Sequence, residues 1–265
     1  MLSSMFAALV LTACGSACAA SLVTAAVVRR RGCDQGSTIT DEQILAHEIR
    51  TPLSLIKGAA ELLDQESDPH KCERLVATIG ANSTRAIEVA ESFLLQAKLN
   101  SGSVKLQVSP CDVRGLVRST AQELRAMSEV PIVVDDPGDP LVVDGDAQLL
   151  RHALWNVLNN AARYAGSDSD IVVGVEESAT GVIVTVADYG PGMTSRQRRD
   201  MFVPFAQFGQ AHTQAQSTAA VPSGAGLGMA ITQKIVQLHR GSVLVDSIAD
   251  HGTSVLITLP RTYYA

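Results

Sequence analysis

In the stretch HEIRTPL, His47 and Thr51 stand one helical turn apart with Glu48 adjoining the histidine. Two histidines at HExxH spacing would make a zinc site, but position 51 is threonine, so metalloprotease chemistry is excluded. A lone histidine is commonly a structural residue. Here the apolar residues Ile49, Leu53, Ile56, Ala60 and Leu63 repeat at alternating four and three spacing, which assigns the packed seam to another face. His47 and Thr51 then face outward. An exposed imidazole beside a carboxylate can have its tautomer fixed and its free nitrogen made more nucleophilic. Pro52 removes one helical hydrogen bond and crowds the carbonyl of Glu48, so the helix is expected to kink beside the histidine.

Three downstream segments carry compatible chemistry. WNVLNNAARY places Asn156 and Asn160 one turn apart on a helix, where their amide oxygens suit a hard cation. ADYGPGM puts Asp188 at a strand end before Gly190 and Gly192, giving an acceptor for a ligand amine beside bare backbone. GAGLGMAI puts Gly224, Gly226 and Gly228 at the start of a helix, whose free N–H groups and dipole favour phosphate. Alone, each has an ordinary reading, as a turn or a pair of surface asparagines. Their order along one chain is what points to a nucleotide site.

The elements that must position these residues follow from periodicity. Thr40 reads as an N-cap, with Asp41 and Glu42 in the first turn of the histidine helix, and SDP at Ser67 to Pro69 ends that helix. Leu75, Ile79, Ala86, Val89 and Phe93 continue the rhythm in a second helix, interrupted by Asn82 and stopped near Gly102. The pair is a hairpin whose apolar stripe is too wide for one copy, so a dimeric four-helix bundle is expected. Beyond Gly102, VKLQV, IVV, LVV, IVVGVEES, VIVTVAD, SVLVDSI and TSVLITL read as strands. Val113 to Ala126, Ala147 to Ala165 and Leu227 to His239 read as amphipathic helices. Tight turns at Ala179 to Gly181 and Asp250 to Gly252 predict a mixed, largely antiparallel sheet covered on one face by helices, an α+β sandwich.

The remaining organisation is set by charge. No residue from Leu2 to Val28 is charged, and Arg29, Arg30 and Arg31 follow at once. As a helix that run is roughly 40 Å long, enough to cross a bilayer, and the arginines place the following chain in the cytoplasm. A cleaved signal segment, or a lipoprotein box at LTAC before Gly15, is the rival reading. The expected boundaries are 1–28 for the membrane helix, 29–39 for a linker, 40–101 for the hairpin and 102–265 for the nucleotide domain. With 265 residues, 46% hydrophobic, the chain can bury a substantial core; a net charge of -6 argues against DNA or RNA as a partner. The five cysteines show no metal or disulfide spacing and read as free thiols.

Taken together, AHEIRTPL, the asparagine helix, DYGPG, MFVPF at Met201 to Phe205, GAGLGMAI and GTSVLITLP resemble the H, N, G1, F and G2 boxes and closing strand of bacterial two-component sensor histidine kinases. The resemblance covers Ile39 to the C-terminus. It implies a dimerising phosphotransfer hairpin followed by a Bergerat-type ATP-binding domain. It further implies that His47 is the phosphorylated residue, Glu48 its base, and Thr51 the residue that positions water for dephosphorylating the partner. Asn156 and Asn160 would hold Mg2+ on the phosphates of ATP, with Arg163 and Tyr164 beside the nucleotide. Asp188 would bind the adenine amino group and Thr253 support the base pocket, while Gly190, Gly192, Gly224, Gly226, Leu227 and Gly228 form the glycine loops that let a lid close.

The implied protein is a homodimeric, single-pass protein of the bacterial cell membrane with its catalytic part in the cytoplasm, signalling to a cognate response regulator. One departure stands out. Ala206 to Ala225 contains no lysine or arginine, and Gln207 stands where the family commonly has a basic residue. Arg163, or the run Arg196 to Arg199, is left to supply the cation, and the bland reading of that run is a solvated helix face. A kinase-weak, phosphatase-dominant or adaptor-like partner is the alternative this departure raises. A chaperone or repair ATPase with the same nucleotide fold has no use for HEIRTPL.

Overall fold

The computed structural model describes residues 41–127, 130–135, 138–165, 169–206 and 226–262. The expected membrane helix, linker, Thr40 cap, Gly224 and Gln207 lie outside the described residues. Among the described residues no helix is long and apolar enough to cross a membrane. The chain divides into two compact units, Met1–Ile44 and Leu45–Ala265.

Helix α1 (Asp41–Leu63) runs unbroken through Pro52. The seam differs in phase from the expected one: Pro52 and Ala59 are buried and Leu45, Ile49, Ile56 and Leu63 half-buried, whereas Leu53 is 51% exposed and Ala60 is exposed. Leu45, Ile49, Pro52, Ile56, Ala59 and Leu63 keep the four-three rhythm, so the proline ring serves as a seam residue. Helix α2 (Pro69–Asn100) starts where SDP predicts it. Asp68 is its N-cap, accepting from His70 N–H, and Pro69 occupies the first turn, where a missing N–H is harmless. Gly102 adopts φ 66° just past its end.

Strand β1 (Ser109–Asp112) pairs antiparallel with β3 (Val142–Gly145) in a small two-stranded sheet. The expected strand VKLQV is not one, because its backbone bonds elsewhere: Gln107 N–H donates to the Asp146 carboxylate at 2.9 Å. The main sheet has the order β2 (Ile132–Asp135), β4 (Ile171–Ser178), β5 (Gly181–Asp188), β7 (Thr253–Pro260), β6 (Ser242–Ser247). Only β2 and β4 run parallel. Inward residues alternate along it, Val173 and Val175, Val182, Val184 and Val186, then Val255, Ile257 and Leu259, all at most 5% exposed. They share one core with α3 (Val113–Arg125) and α4 (Ala147–Tyr164) through Val117, Leu124, Leu154 and Leu158. Helix α6 (Gly228–Leu238) packs beside α4, and a short helix, α5 (Ser195–Asp200), precedes MFVPF, opened by a capping box between Thr194 and Gln197.

One buried polar pair ties α4 to α6. Asp146 caps α4 by accepting from Gln148 and Leu149 N–H, and its own N–H donates to His239 Nε2 at 2.9 Å. His239, 2% exposed, turns its Nδ1 to the Ile235 carbonyl at 2.8 Å, so Nδ1 carries the proton and Nε2 accepts. His239→Ala leaves a cavity and an orphaned buried N–H, and is expected to lower unfolding stability by about 2–4 kcal/mol. Urea unfolding monitored by circular dichroism measures it; a loss within experimental error of zero would contradict this role.

Candidate functional site

Asp188 ends β5 with 9% of its surface exposed. Its Oδ1 accepts from Gly190 N–H at 3.0 Å. Burial pushes the carboxyl up from its ordinary range, against the hydrogen bonds from Gly190 and Thr253 N–H, which favour the charged form. A desolvated acceptor at a strand end is suited to one specific donor. The surrounding glycines are required by close backbone approach. A Cβ on Gly190 would lie 2.1 Å from the Tyr164 carbonyl oxygen, and Gly192, at φ 61°, would bring one to 2.0 Å from that of Ile248. Thr253 is set by Ser247, whose hydroxyl donates to the Gly252 carbonyl and pairs with Thr253 Oγ1, each at 2.9 Å.

The second wall is α4. Asn156 Nδ2 donates to the Gly228 carbonyl at 3.2 Å, which fixes the amide and leaves its oxygen as the group offered to a ligand. A side chain at Gly228 would press on that amide, its Cβ 3.4 Å from Asn156 Cγ. Asn160 follows one turn on, half-buried, and no cluster of His, Cys, Asp or Glu able to hold a metal occurs among the described residues. Neutral amide oxygens of this kind suit Mg2+ carried in on phosphate, which keeps most of its own oxygen ligands. Arg163 is half-buried; burial pushes its guanidinium down from the usual value, and Arg85 adds to that while Tyr164 and Glu88 oppose it. Tyr164 is 44% exposed and meets the site through its carbonyl, against Gly190.

At the start of α6 the chain closes on itself. Phe205 N–H donates to the Gly226 carbonyl at 3.0 Å, with Phe205 at φ 62° and Gly226 at φ 70°. A left-handed phenylalanine is strained by about 1–3 kcal/mol, a strain that recurs at functional sites. Leu227, expected as a ligand residue, buries its side chain to 1% and leaves only its backbone for a ligand. Two members of the arginine run are engaged elsewhere. Arg196 pairs with Asp200 at 3.7 Å and Arg198 with the Ser247 carbonyl and Asp246, so the run is a solvated helix surface with one tether to β6.

His47 is exposed on α1, Glu48 half-buried, and the exposed Thr51 donates its hydroxyl to the His47 carbonyl at 3.2 Å. The histidine helix and the nucleotide wall share one apolar cluster. Leu45 and Ile49, flanking His47, pack against a group containing Val89, Leu99, Leu227, Ile231 and Ile235. Phe93 of α2 meets Phe205 with ring centroids 6.5 Å apart. Sequence reasoning missed this contact, Ser247, and the Asp146–His239 pair. Only Asp146 had a local signal, an aspartate directly before a helix.

Comparison with known proteins accords with this geometry. The family model described as "Histidine kinase-, DNA gyrase B-, and HSP90-like ATPase" matches residues 145–263, and "His Kinase A (phospho-acceptor) domain" matches 43–102. A Mycobacterium tuberculosis protein described as "Probable sensor histidine kinase TcrY" is 30% identical over 218 residues, covering 81% of this chain and 44% of that protein. The sensor protein KdpD of Escherichia coli is 29% identical, covering 82% of this chain and 24% of KdpD. The chain spans less than half the length of these relatives. Among solved structures, Acinetobacter baumannii histidine kinase AdeS shares the fold, with a TM-score of 0.60 at 18% identity over 81% of this chain and 98% of that one. Full-length ShkA, solved in complex with AMPPNP, gives a TM-score of 0.60 at 26% identity over 85% of this chain and 47% of that one.

Proposed function

From the membership of this chain in the two-component sensor histidine kinases, we propose that it transfers the γ-phosphoryl group of ATP to His47 and then to an aspartate of a response regulator. The observation that carries this reading is the shared apolar cluster. It joins the residues flanking His47 to Leu227 and Ile231, which flank the Gly228 that orients Asn156. Acceptor and nucleotide wall belong to one packed unit.

In this mechanism Asp188 accepts the exocyclic amine of adenine, and Asn156 and Asn160 turn their amide oxygens to the phosphate end. Asn156 and Asn160 would hold Mg2+, which would supply charge neutralisation at the phosphates. A His47 ring nitrogen attacks the γ-phosphorus, the bond to the bridging oxygen breaks, ADP leaves, and the ring proton passes to Glu48. In the second step the phosphorus–nitrogen bond breaks as a regulator carboxylate attacks. For Thr51 to orient water in dephosphorylation, its hydroxyl would have to leave the His47 carbonyl.

Homodimerisation is supported by a second apolar stripe. Leu55 and Leu62 on α1, and Val76, Ile87 and Leu94 on α2, are all at least 49% exposed in one copy and repeat at helical spacing. The uncharged run Leu2–Val28 before three arginines supports a single-pass anchor with the catalytic part cytoplasmic.

The test is incubation of the full chain with radiolabelled ATP and Mg2+. Wild type should gain acid-labile label and His47→Gln none. A wild type that binds ATP yet takes no label would favour the phosphatase-dominant or adaptor reading, which the uncharged segment 206–225 otherwise supports.

A further inference from the structure

On the helix-covered face of the main sheet, Val186, Val255 and Val245 lie opposite one another on β5, β7 and β6, and the next row on that face is Asp188, Thr253 and Ser247. Opposite residues in antiparallel pairs turn their side chains to one face, so these three polar groups stand side by side where the apolar face ends. Asp188 is 9% exposed and Ser247 6%, and polar groups this buried are fixed by their partners. The Asp188 carboxylate is held by the backbone N–H groups of Gly190 and Thr253. The two hydroxyls have a definite order of donation. A carbonyl oxygen can only accept, so the single proton of Ser247 Oγ is committed to the Gly252 carbonyl at 2.9 Å. In the 2.9 Å contact between Ser247 Oγ and Thr253 Oγ1, the donor is therefore Thr253. Its proton points along the sheet toward β6, and β5 with Asp188 lies on the other side of β7. What Thr253 offers on that side is lone pairs.

We propose that Ser247 is a positioning residue for base selection: by drawing the Thr253 proton to itself, it leaves Asp188 and Thr253 as two adjacent acceptors, a pair that takes the exocyclic amine of adenine and rejects a 6-oxopurine. This rests on the reading of Asp188 as the adenine-binding group. Ser247 needs no contact with the ligand, because it acts through Thr253. Without its hydroxyl the Thr253 proton would turn to the Asp188 carboxylate or to a ligand oxygen, and either position weakens the preference for an amine.

The experiment is titration of the full chain with ATP and with ITP, which carries an oxygen in place of the amine, each with Mg2+. Wild type should favour ATP over ITP by about 100-fold or more. Ser247→Ala should cut that ratio about tenfold, and Ser247→Cys, which keeps the volume but donates and accepts weakly, should lower it too. Thr253→Val should also lower the ratio, and adding Ser247→Ala to it should change the ratio by less than about twofold, since the group through which Ser247 acts is already gone. A serine that only holds the turn would weaken ATP and ITP alike. An unchanged ratio in Ser247→Ala and Ser247→Cys, a full further loss in the double variant, or a wild type that binds ATP and ITP equally would each overturn the proposal. A wild type that binds neither nucleotide, or an Asp188→Asn variant that binds ATP normally, would instead overturn the reading of Asp188, and the proposal with it.

Discussion

Asp188→Asn is expected to remove nucleotide binding, by about 100-fold or more, while making the unliganded protein slightly more stable. The carboxylate is 9% exposed, and burial raises its pKa. The folded state thus holds the proton more tightly than the unfolded chain does. The sign follows directly: the charged form costs stability above the folded pKa, and the cost fades as pH falls through that value. Asparagine keeps an oxygen for Gly190 N–H and carries no charge to desolvate. It also turns an amide donor toward a ligand amine, setting donor against donor in a buried place, which defeats recognition far more than a lost contact would. Calorimetry at about pH 7.5 should show Tm raised by roughly 1–4 °C, with the gap narrowing as the pH falls into the raised titration range of the carboxyl. A lower Tm, or ATP affinity within about tenfold of wild type, would contradict the assignment of Asp188 as a desolvated binding group.

The residues most legible in the sequence are those with the fewest chemical substitutes. Gly192 and Gly226 hold positive φ, and Gly190 meets a carbonyl oxygen where no side chain fits, so their spacing marks the loops directly. The long strands are legible too, since buried and half-buried residues alternate along Gly181–Asp188 after its first residue. The hairpin seam was harder. Both α1 and α2 carry two apolar stripes, and a four-three rhythm fits either; it does not tell a face packed within the chain from one turned outward. Leu53 turns outward in one copy of the chain, and Pro52, a helix breaker by type, packs its ring as an apolar group. Contacts such as Asp146 with His239, separated by 93 positions, leave no trace in local pattern at all.

The hairpin and the nucleotide domain meet through apolar side chains. Val89 and Phe93 hold α2 on the start of α6. Loosening that apolar contact would part Leu45 and Ile49, which flank His47, from the cluster that holds Leu227 and Ile231.

Gly252→Ala is expected to be among the most damaging single-methyl changes in the nucleotide domain. Gly252 sits at φ 89°, and an added Cβ would come within 2.1 Å of the Asp188 carbonyl oxygen and 2.9 Å of Tyr189 Cα. Neither neighbour can yield, because both are backbone at the end of β5, where Asp188 is paired with Thr253 of β7. Relief requires parting the two strands at that end or flipping the turn, which also frees Ser247 from the Gly252 carbonyl and Thr253 from Ser247. Positive φ and steric overlap together suggest a loss of about 3–5 kcal/mol. A variant that survives should bind ATP poorly even where folded, since the displaced atoms are those that position Asp188. Denaturant unfolding gives the first quantity and nucleotide titration of the folded fraction the second. Near-wild-type stability would mean that the turn adapts, and normal ATP affinity would mean that Asp188 is positioned independently of the β5–β7 end.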